Sequence, residues 1–138
     1  MSLSIEQHEL EGIVVLDLKG QLTIGEDDIK LRDTLTSFGQ SGKVQLVLNL
    51  KGVDLIDSSG LGTLVFAQAK LTKLGGRLAL ASVNPTHLKL FLLTRLALAF
   101  EFFPDDHDAV NSFFPDRAIK HFDILEFVEQ QEGHGAAL

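Results

Sequence analysis

The run Val44-Gln45-Leu46-Val47-Leu48-Asn49-Leu50 constrains this chain more than any other stretch. It is nearly continuous apolar sequence. A strand that is apolar on both faces must be covered on both, which is the situation of a central strand in a parallel sheet. The turn Ile56-Asp57-Ser58-Ser59-Gly60-Leu61-Gly62 follows, and then a helix-like segment from Leu61 to Leu74. The chain there reads as a buried strand handing over to a helix. Asp57, Ser58 and Ser59 all suit an N-cap, because their side-chain oxygens accept from the free N–H groups of a first helical turn. Gly60 and Gly62 each cost about 1 kcal/mol relative to alanine inside a helix. Two glycines in a first turn therefore imply close approach, of the sheet beneath or of a partner above.

The flanking sequence repeats the strand and helix signals. Ser4 to Glu9 and Ile13 to Leu18 read as a hairpin turned at Glu11-Gly12 and closed by Lys19-Gly20. Glu26 to Phe38 is a helix by the spacing of Leu31, Leu35 and Phe38, with Glu26, Asp27 and Asp28 at the dipole's positive end. Gly39 to Gly42 and Gly75-Gly76 are stops, and Arg77 to Ser82 is the next strand. Asn84-Pro85 supplies a cap and a proline at the first helical position, ahead of Leu88, Phe91, Leu92 and Arg95. Leu98 to Phe103 reads as a fifth strand, and Asp105, Asp106 and Asp108 open a last short helix carrying Val110, Phe113 and Phe114. The order β-β-α-β-α-β-α-β-α predicts the α/β class, with a mixed, mostly parallel sheet of about five strands and crossover helices. At 138 residues, one domain is expected over 1–115. Residues 116–138 form a C-terminal extension, read as a docked helix or strand and a frayed tail from Gly133. Ile119, Phe122, Leu125 and Val128 share a helical stripe there, although Phe122-Asp123-Ile124 also suits an extended segment.

Composition removes several function classes. The net charge of −7 disfavours nucleic acid, whose phosphates need clustered Lys and Arg, and equally an anionic membrane surface. With no cysteine, thiolate catalysis, disulfides and cysteine-based zinc sites are excluded. The five histidines, His8, His87, His107, His121 and His134, show no i, i+4 pair for a metal, and His107 reads as part of a solvated helix start. A serine hydrolase would favour Gly-x-Ser-x-Gly, and Val53 to Asp57 lacks the leading glycine. Gly60-x-Gly62 lacks the rest of a nucleotide fingerprint. A receiver-type phosphoaspartate at Asp57 would need an acidic cluster after the first strand and a lysine after the last. Lys19-Gly20-Gln21 and Pro104-Asp105 supply neither. No catalytic residue, cofactor or metal is therefore predicted. The N-terminus shows no signal-peptide pattern and no apolar run approaches a membrane span, so a cytoplasmic setting is expected. The ten phenylalanines read most simply as core, although Phe100, Phe102, Phe103, Phe113 and Phe114 cluster late enough to suggest an exposed patch.

Functional groups gather at the carboxyl ends of strands in open α/β sheets. A serine hydroxyl at the Asp57-Ser58-Ser59 turn would be exposed beside a helix N-terminus. A phosphate there would be tolerated by its own helix and would add a charge of about −1.5 to −2 to a protein-binding surface. From spacing alone, plain helix capping explains the serines as well.

The motif Ile56-Asp57-Ser58-Ser59-Gly60-Leu61-Gly62 resembles the signature of the STAS domain, in particular of bacterial anti-sigma-factor antagonists. The element order matches that family from about Ser4 to Pro115. The Gly20-Gln21-Leu22 turn and the Asn84-Pro85 helix start support the match. The resemblance implies a phosphoacceptor serine directly after the aspartate, which is Ser58, with Ser59 as the alternative. It implies partner binding through Asp57, Ser58, Ser59, Gly60, Leu61 and Gly62. It implies, as partner, an anti-sigma factor that is also a serine kinase, bound by the unphosphorylated form with release of a sigma factor. Two positions depart from the family pattern. Thr23 and Ile24 follow Leu22 where many members carry acid, and Thr94-Arg95-Leu96 replaces a frequent Thr-Gly-Leu. Alternatives without phosphorylation are a constitutive interaction or assembly module and a small-molecule or lipid-binding module. Self-association through the extension would give a homodimer.

Overall fold

The structure, a computed structural model, describes residues 3–117. Strands β1 (Ser4–Leu10) and β2 (Ile13–Leu22) form an antiparallel hairpin, followed by α1 (Glu26–Gln40), β3 (Gln45–Ile56), α2 (Ser58–Lys73), β4 (Arg77–Ala81) and α3 (Pro85–Leu93). A 3-10 turn (Ala97–Ala99), β5 (Glu101–Phe103) and α4 (Asp106–Asn111) complete the domain. The sheet order is β1-β2-β3-β4-β5, and every pair after the hairpin is parallel. The α/β expectation and the element order hold. The extension expected from residue 116 lies, apart from Asp116 and Arg117, outside the described residues.

Strand alternation divides the core into two layers. Val14, Leu16 and Leu18 of β2, Leu46, Leu48 and Leu50 of β3, and Leu78 and Leu80 of β4 face one side. There they meet Leu31 and Leu35 of α1, Leu61, Leu64, Ala67 and Leu71 of α2, and Leu88 and Phe91 of α3. The intervening residues Ile13, Val15, Val47, Ala79 and Ala81 face the other side, where Ala109 and Val110 of α4 cover them. Both faces of β3 are thus buried, as its apolar run requires. Three crossover helices on one face and a sequential strand order are what a uniform crossover hand produces.

Several boundaries move. β2 does not stop at Lys19-Gly20. It continues to Leu22 through register shifts between Asp17 and Lys19 and between Gly20 and Gln21. Gly20 sits at φ 111, so the expected turn is a bulge, which a glycine accommodates and which turns the strand without ending it. β3 likewise runs to Ile56, well past Leu50, and pairs with β2 as far as Leu22↔Ile56. The fifth strand is shorter than expected because Ala97–Ala99 form a 3-10 turn. The aromatic patch is mostly core. Phe100, Phe102 and Phe103 are buried, and Phe91 meets Phe100 and Phe102 edge-to-face at 5.5 and 5.2 Å. Phe113 and Phe114 lie beyond α4 in sequence, each under a guanidinium group, Arg77 at 3.9 Å and Arg117 at 4.0 Å.

The three crossover helices end alike. In each, the residue after the C-cap takes a left-handed conformation, and the next N–H reaches back to the final turn. The bonds are Lys43 N to Phe38 O at 2.9 Å, Gly76 N to Leu71 O at 2.8 Å and Leu96 N to Phe91 O at 2.9 Å. Gly42 and Gly75 supply the left-handed residue in α1 and α2. In α3 it is Arg95, at φ 61.

Candidate functional site

β4 stops at Ala81, opposite Asn49, so β2 and β3 rise beyond it as a two-stranded ribbon. The turn from β3 into α2 sits at the tip of this ribbon. Leu22 and Ile56 are paired there, which brings the loop after β2 beside Asp57 and Ser58. Parallel pairing alone accounts for this meeting, since it sets two carboxyl ends side by side.

Asp57 is the cap of α2. Its Oδ1 accepts from the Gly60 N–H at 2.9 Å and its Oδ2 from the Ile24 N–H at 2.9 Å. Its own N–H donates to the Leu22 carbonyl at 3.2 Å. One carboxylate therefore joins the helix start to the loop between β2 and α1. The N–H donors of Ile24 and Gly60, in that order, hold the Asp57 carboxyl below the usual carboxylate range. With Asp57 as cap, Ser58 becomes the first residue of α2 and is exposed. Its hydroxyl has no hydrogen-bond partner among the described residues. Ser59, one residue further along the helix, is only partly exposed.

The two glycines play different parts. A Cβ on Gly60 would lie 2.3 Å from the Leu22 carbonyl oxygen and 2.8 Å from Leu22 Cγ. Gly60 is thus required by the sheet beneath. A Cβ on Gly62 would meet nothing within 4 Å, and Gly62 is exposed. Among the described residues no contact asks for that glycine, which leaves room above it for a partner. Leu61 points inward and is buried. Of the six residues expected to bind a partner, Ser58 and Gly62 face outward, Asp57 and Ser59 are partly covered, and Gly60 and Leu61 belong to the packing beneath.

Tertiary structure adds neighbours that no local pattern announces. Ile24 is 75% exposed beside the turn, an apolar residue that protein recognition would cover. Thr63, one turn beyond Ser59, is completely buried. Its hydroxyl donates to Asp28 of α1, and Arg32 of α1 donates to it at 3.3 Å. These bonds fix α1 against α2. Asp28, which contacts Thr63, stands in the first turn of α1. The first turn of α3 reaches upper β3 through His87. Asn84 caps this turn by accepting from the His87 N–H at 2.8 Å. The His87 ring, 4% exposed, donates to the Asp54 carbonyl, and its Nδ1 has no partner among the described residues.

On the opposite side of the sheet, His8, Asp17 and Asp106 bring ligand atoms within 4.8 Å of one another, with His8 Nδ1 3.4 Å from Asp17. All three approach through tertiary structure, so their sequence spacing shows nothing. Among the described residues, no helix is long and apolar enough to cross a membrane.

Comparison with known proteins adds a family. The STAS domain model matches residues 4–109. The anti-sigma F factor antagonist of Paenibacillus polymyxa is 28% identical over 112 residues, covering 81% of this chain and 93% of the relative. An anti-sigma factor antagonist from Mycobacterium paratuberculosis superposes with a TM-score of 0.72 at 22% identity, over 80% of this chain and 93% of the other. The Bacillus cell fate determinant SpoIIAA, solved in its phosphorylated form, gives a TM-score of 0.63 at 20% identity, over 80% and 99% of the two chains.

Proposed function

The chain belongs to the STAS domain family, and from that premise we propose that it is an anti-sigma factor antagonist switched by phosphorylation at Ser58. Its unphosphorylated form binds an anti-sigma factor that is also a serine kinase, and so frees a sigma factor. The γ-phosphoryl group of ATP passes to Ser58 Oγ, the hydroxyl proton leaves, and ADP departs. This chain acts as acceptor and binding module, without catalysis, cofactor or metal of its own. The setting is the cytoplasm.

One observation carries the choice of residue. Asp57 makes the capping bonds, so the exposed Ser58 hydroxyl is left without structural duty. A serine needed as a cap would be occupied, and a serine inside the packing could not enter a kinase. Exposed Gly62 and Ile24 flank it and suit a protein surface. A phosphate on Ser58 would put about −1.5 to −2 charge into that surface, next to the Asp57 carboxylate. Desolvation and like-charge repulsion then oppose rebinding. The names of the curated relatives and the phosphorylated form of SpoIIAA point the same way.

Incubation with a cognate kinase and ATP should add one phosphate, absent in Ser58→Ala and retained in Ser59→Ala. Label that survives in Ser58→Ala and disappears in Ser59→Ala would move the site to Ser59. Unchanged partner binding by Ser58→Asp would instead favour a constitutive module.

A further inference from the structure

We propose that the groove between the C-terminal halves of α1 and α2 binds a free fatty acid, a single acyl chain ending in a carboxylate. The inference stands whether or not Ser58 is phosphorylated. The groove has a volume of about 360 Å³, which is in the range of small-ligand sites. Leu35 of α1 and Ala67 and Leu71 of α2 line it and are buried. Phe66 and Leu74 line it too, and are 45% and 52% exposed. Large apolar side chains gathered in one concave place mark a surface that is normally covered.

Charge indicates what the covering molecule carries. The chain holds 19 acidic side chains against 12 Lys and Arg. The groove nevertheless includes Arg32 and Lys70 and no carboxylate, and α2 contains no acidic residue from Ser58 to Lys73. Arg32 and Lys70 each lie 5.3 Å from the Phe66 ring centroid, so two cations gather around one ring. Among the described residues Lys70 has no ion-pair partner, and the one hydrogen bond of Arg32 goes to the Thr63 hydroxyl at 3.3 Å. An apolar groove with two uncompensated cations complements an apolar chain with one anionic end.

The groove is polar at one end and apolar at the other. Arg32 stands against Phe66, whereas a Cβ on Gly39 would lie 3.5 Å from Leu74 Cδ1 and 3.9 Å from Leu71 Cδ2. Arg32 and Gly39 are about 10 Å apart along α1. Gly39 has no positive φ, and an added methyl would make only ordinary contacts. Neither the backbone nor the packing among the described residues asks for a glycine there, although glycine weakens a helix. What Gly39 does is keep the apolar end open. A stable protein interface buries on the order of 1,200–2,000 Å². An apolar strip about 10 Å long, with cations at one end, suits one acyl chain and its headgroup instead.

Dodecanoate, kept below its micelle concentration, is titrated into the full chain and followed by calorimetry and methyl NMR. It should saturate one site and shift the methyl signals of Leu35, Leu71 and Leu74. Octanoate should bind at least about tenfold more weakly, since each methylene withdrawn from water is worth roughly three- to fourfold in affinity. Dodecyltrimethylammonium, with the same chain and the opposite charge, should also lose at least about tenfold. Lys70→Glu should weaken dodecanoate by about tenfold and leave uncharged dodecanol unchanged. Gly39→Leu, which fills the apolar end, should weaken dodecanoate more than octanoate. Lys70 is exposed, so its variant tests the site even where Gly39→Leu disturbs α1. No saturable binding of dodecanoate, equal binding of the cationic amphiphile, or an affinity unchanged by both substitutions would each overturn the proposal. Broadening of the same methyl signals with protein concentration alone would assign the groove to a second copy instead. Sedimentation with phosphatidylglycerol vesicles, without binding of free dodecanoate, would assign it to a membrane surface and equally refute the site.

Discussion

At the scale of residues, two adjacent positions in one turn answer to different demands. Asp57 holds the helix start and the preceding loop through two N–H donors. Asp57→Ala should lower stability by about 1–2 kcal/mol, read as a urea midpoint, because a cap and a tie between elements go together. Ser58→Ala, outside the hydrogen-bond network, should leave the same midpoint within about 0.5 kcal/mol. Gly60 and Gly62 offer a second contrast. Gly60→Ala drives a methyl into the Leu22 carbonyl and should cost about 1–3 kcal/mol. Gly62→Ala meets nothing among the described residues and should raise stability by up to about 1 kcal/mol through helix propensity. If Gly62 is kept open for a partner, the more stable variant should bind that partner more weakly in titration calorimetry. The sequence pointed to both glycines as signs of close approach without saying which faced the sheet. That distinction depends on Leu22, which lies far away along the chain.

At the scale of elements, Arg95 explains what a departure from the family pattern does. The three crossover helices share one ending, and only α3 uses a residue with a Cβ in the left-handed position. That conformation costs an ordinary residue about 1–2 kcal/mol. Arg95→Gly should therefore stabilise the protein by about 1 kcal/mol in thermal or urea unfolding, with the fold unchanged. The start of α3 carries a pH signature. Burial pushes His87 below its ordinary value near 6.5, although its bond to the Asp54 carbonyl and the Asp54 charge oppose this. The folded protein thus holds the neutral ring more firmly than the unfolded chain does. This contribution is present above pH 6.5 and is lost as pH falls from there through the folded value. His87→Gln should flatten the stability profile in that window, measured as urea midpoints at stepped pH. Asp57, also held low, contributes at a separate and more acid stage, lost as pH falls below about 4.

At the scale of the whole molecule, the sheet organises everything else. Phe91 is fully buried where α3 meets the sheet, with Phe100 and Phe102 edge-on to it. Phe91→Ala should cost about 3–5 kcal/mol, seen as a large fall in the unfolding midpoint. The sequence alone determined the α/β class, the order of elements, the buried central strand and the strand-to-helix turn that carries Ser58. These follow from local patterns of period two and period three to four, and from caps and glycines within a few residues of each boundary. Only the tertiary structure decided that β2 and β3 extend as a ribbon beyond the rest of the sheet. It also set Leu22 under Gly60, tied Ile24 to Asp57, and sent the late phenylalanines inward. The physical reason is one of range. A bulge at Gly20 and the parallel pairing Leu22↔Ile56 join residues more than thirty positions apart, and no local periodicity records which strand end will stand beside which. The turn was legible in the chain; its exposed and supported sides were settled by what folds against it.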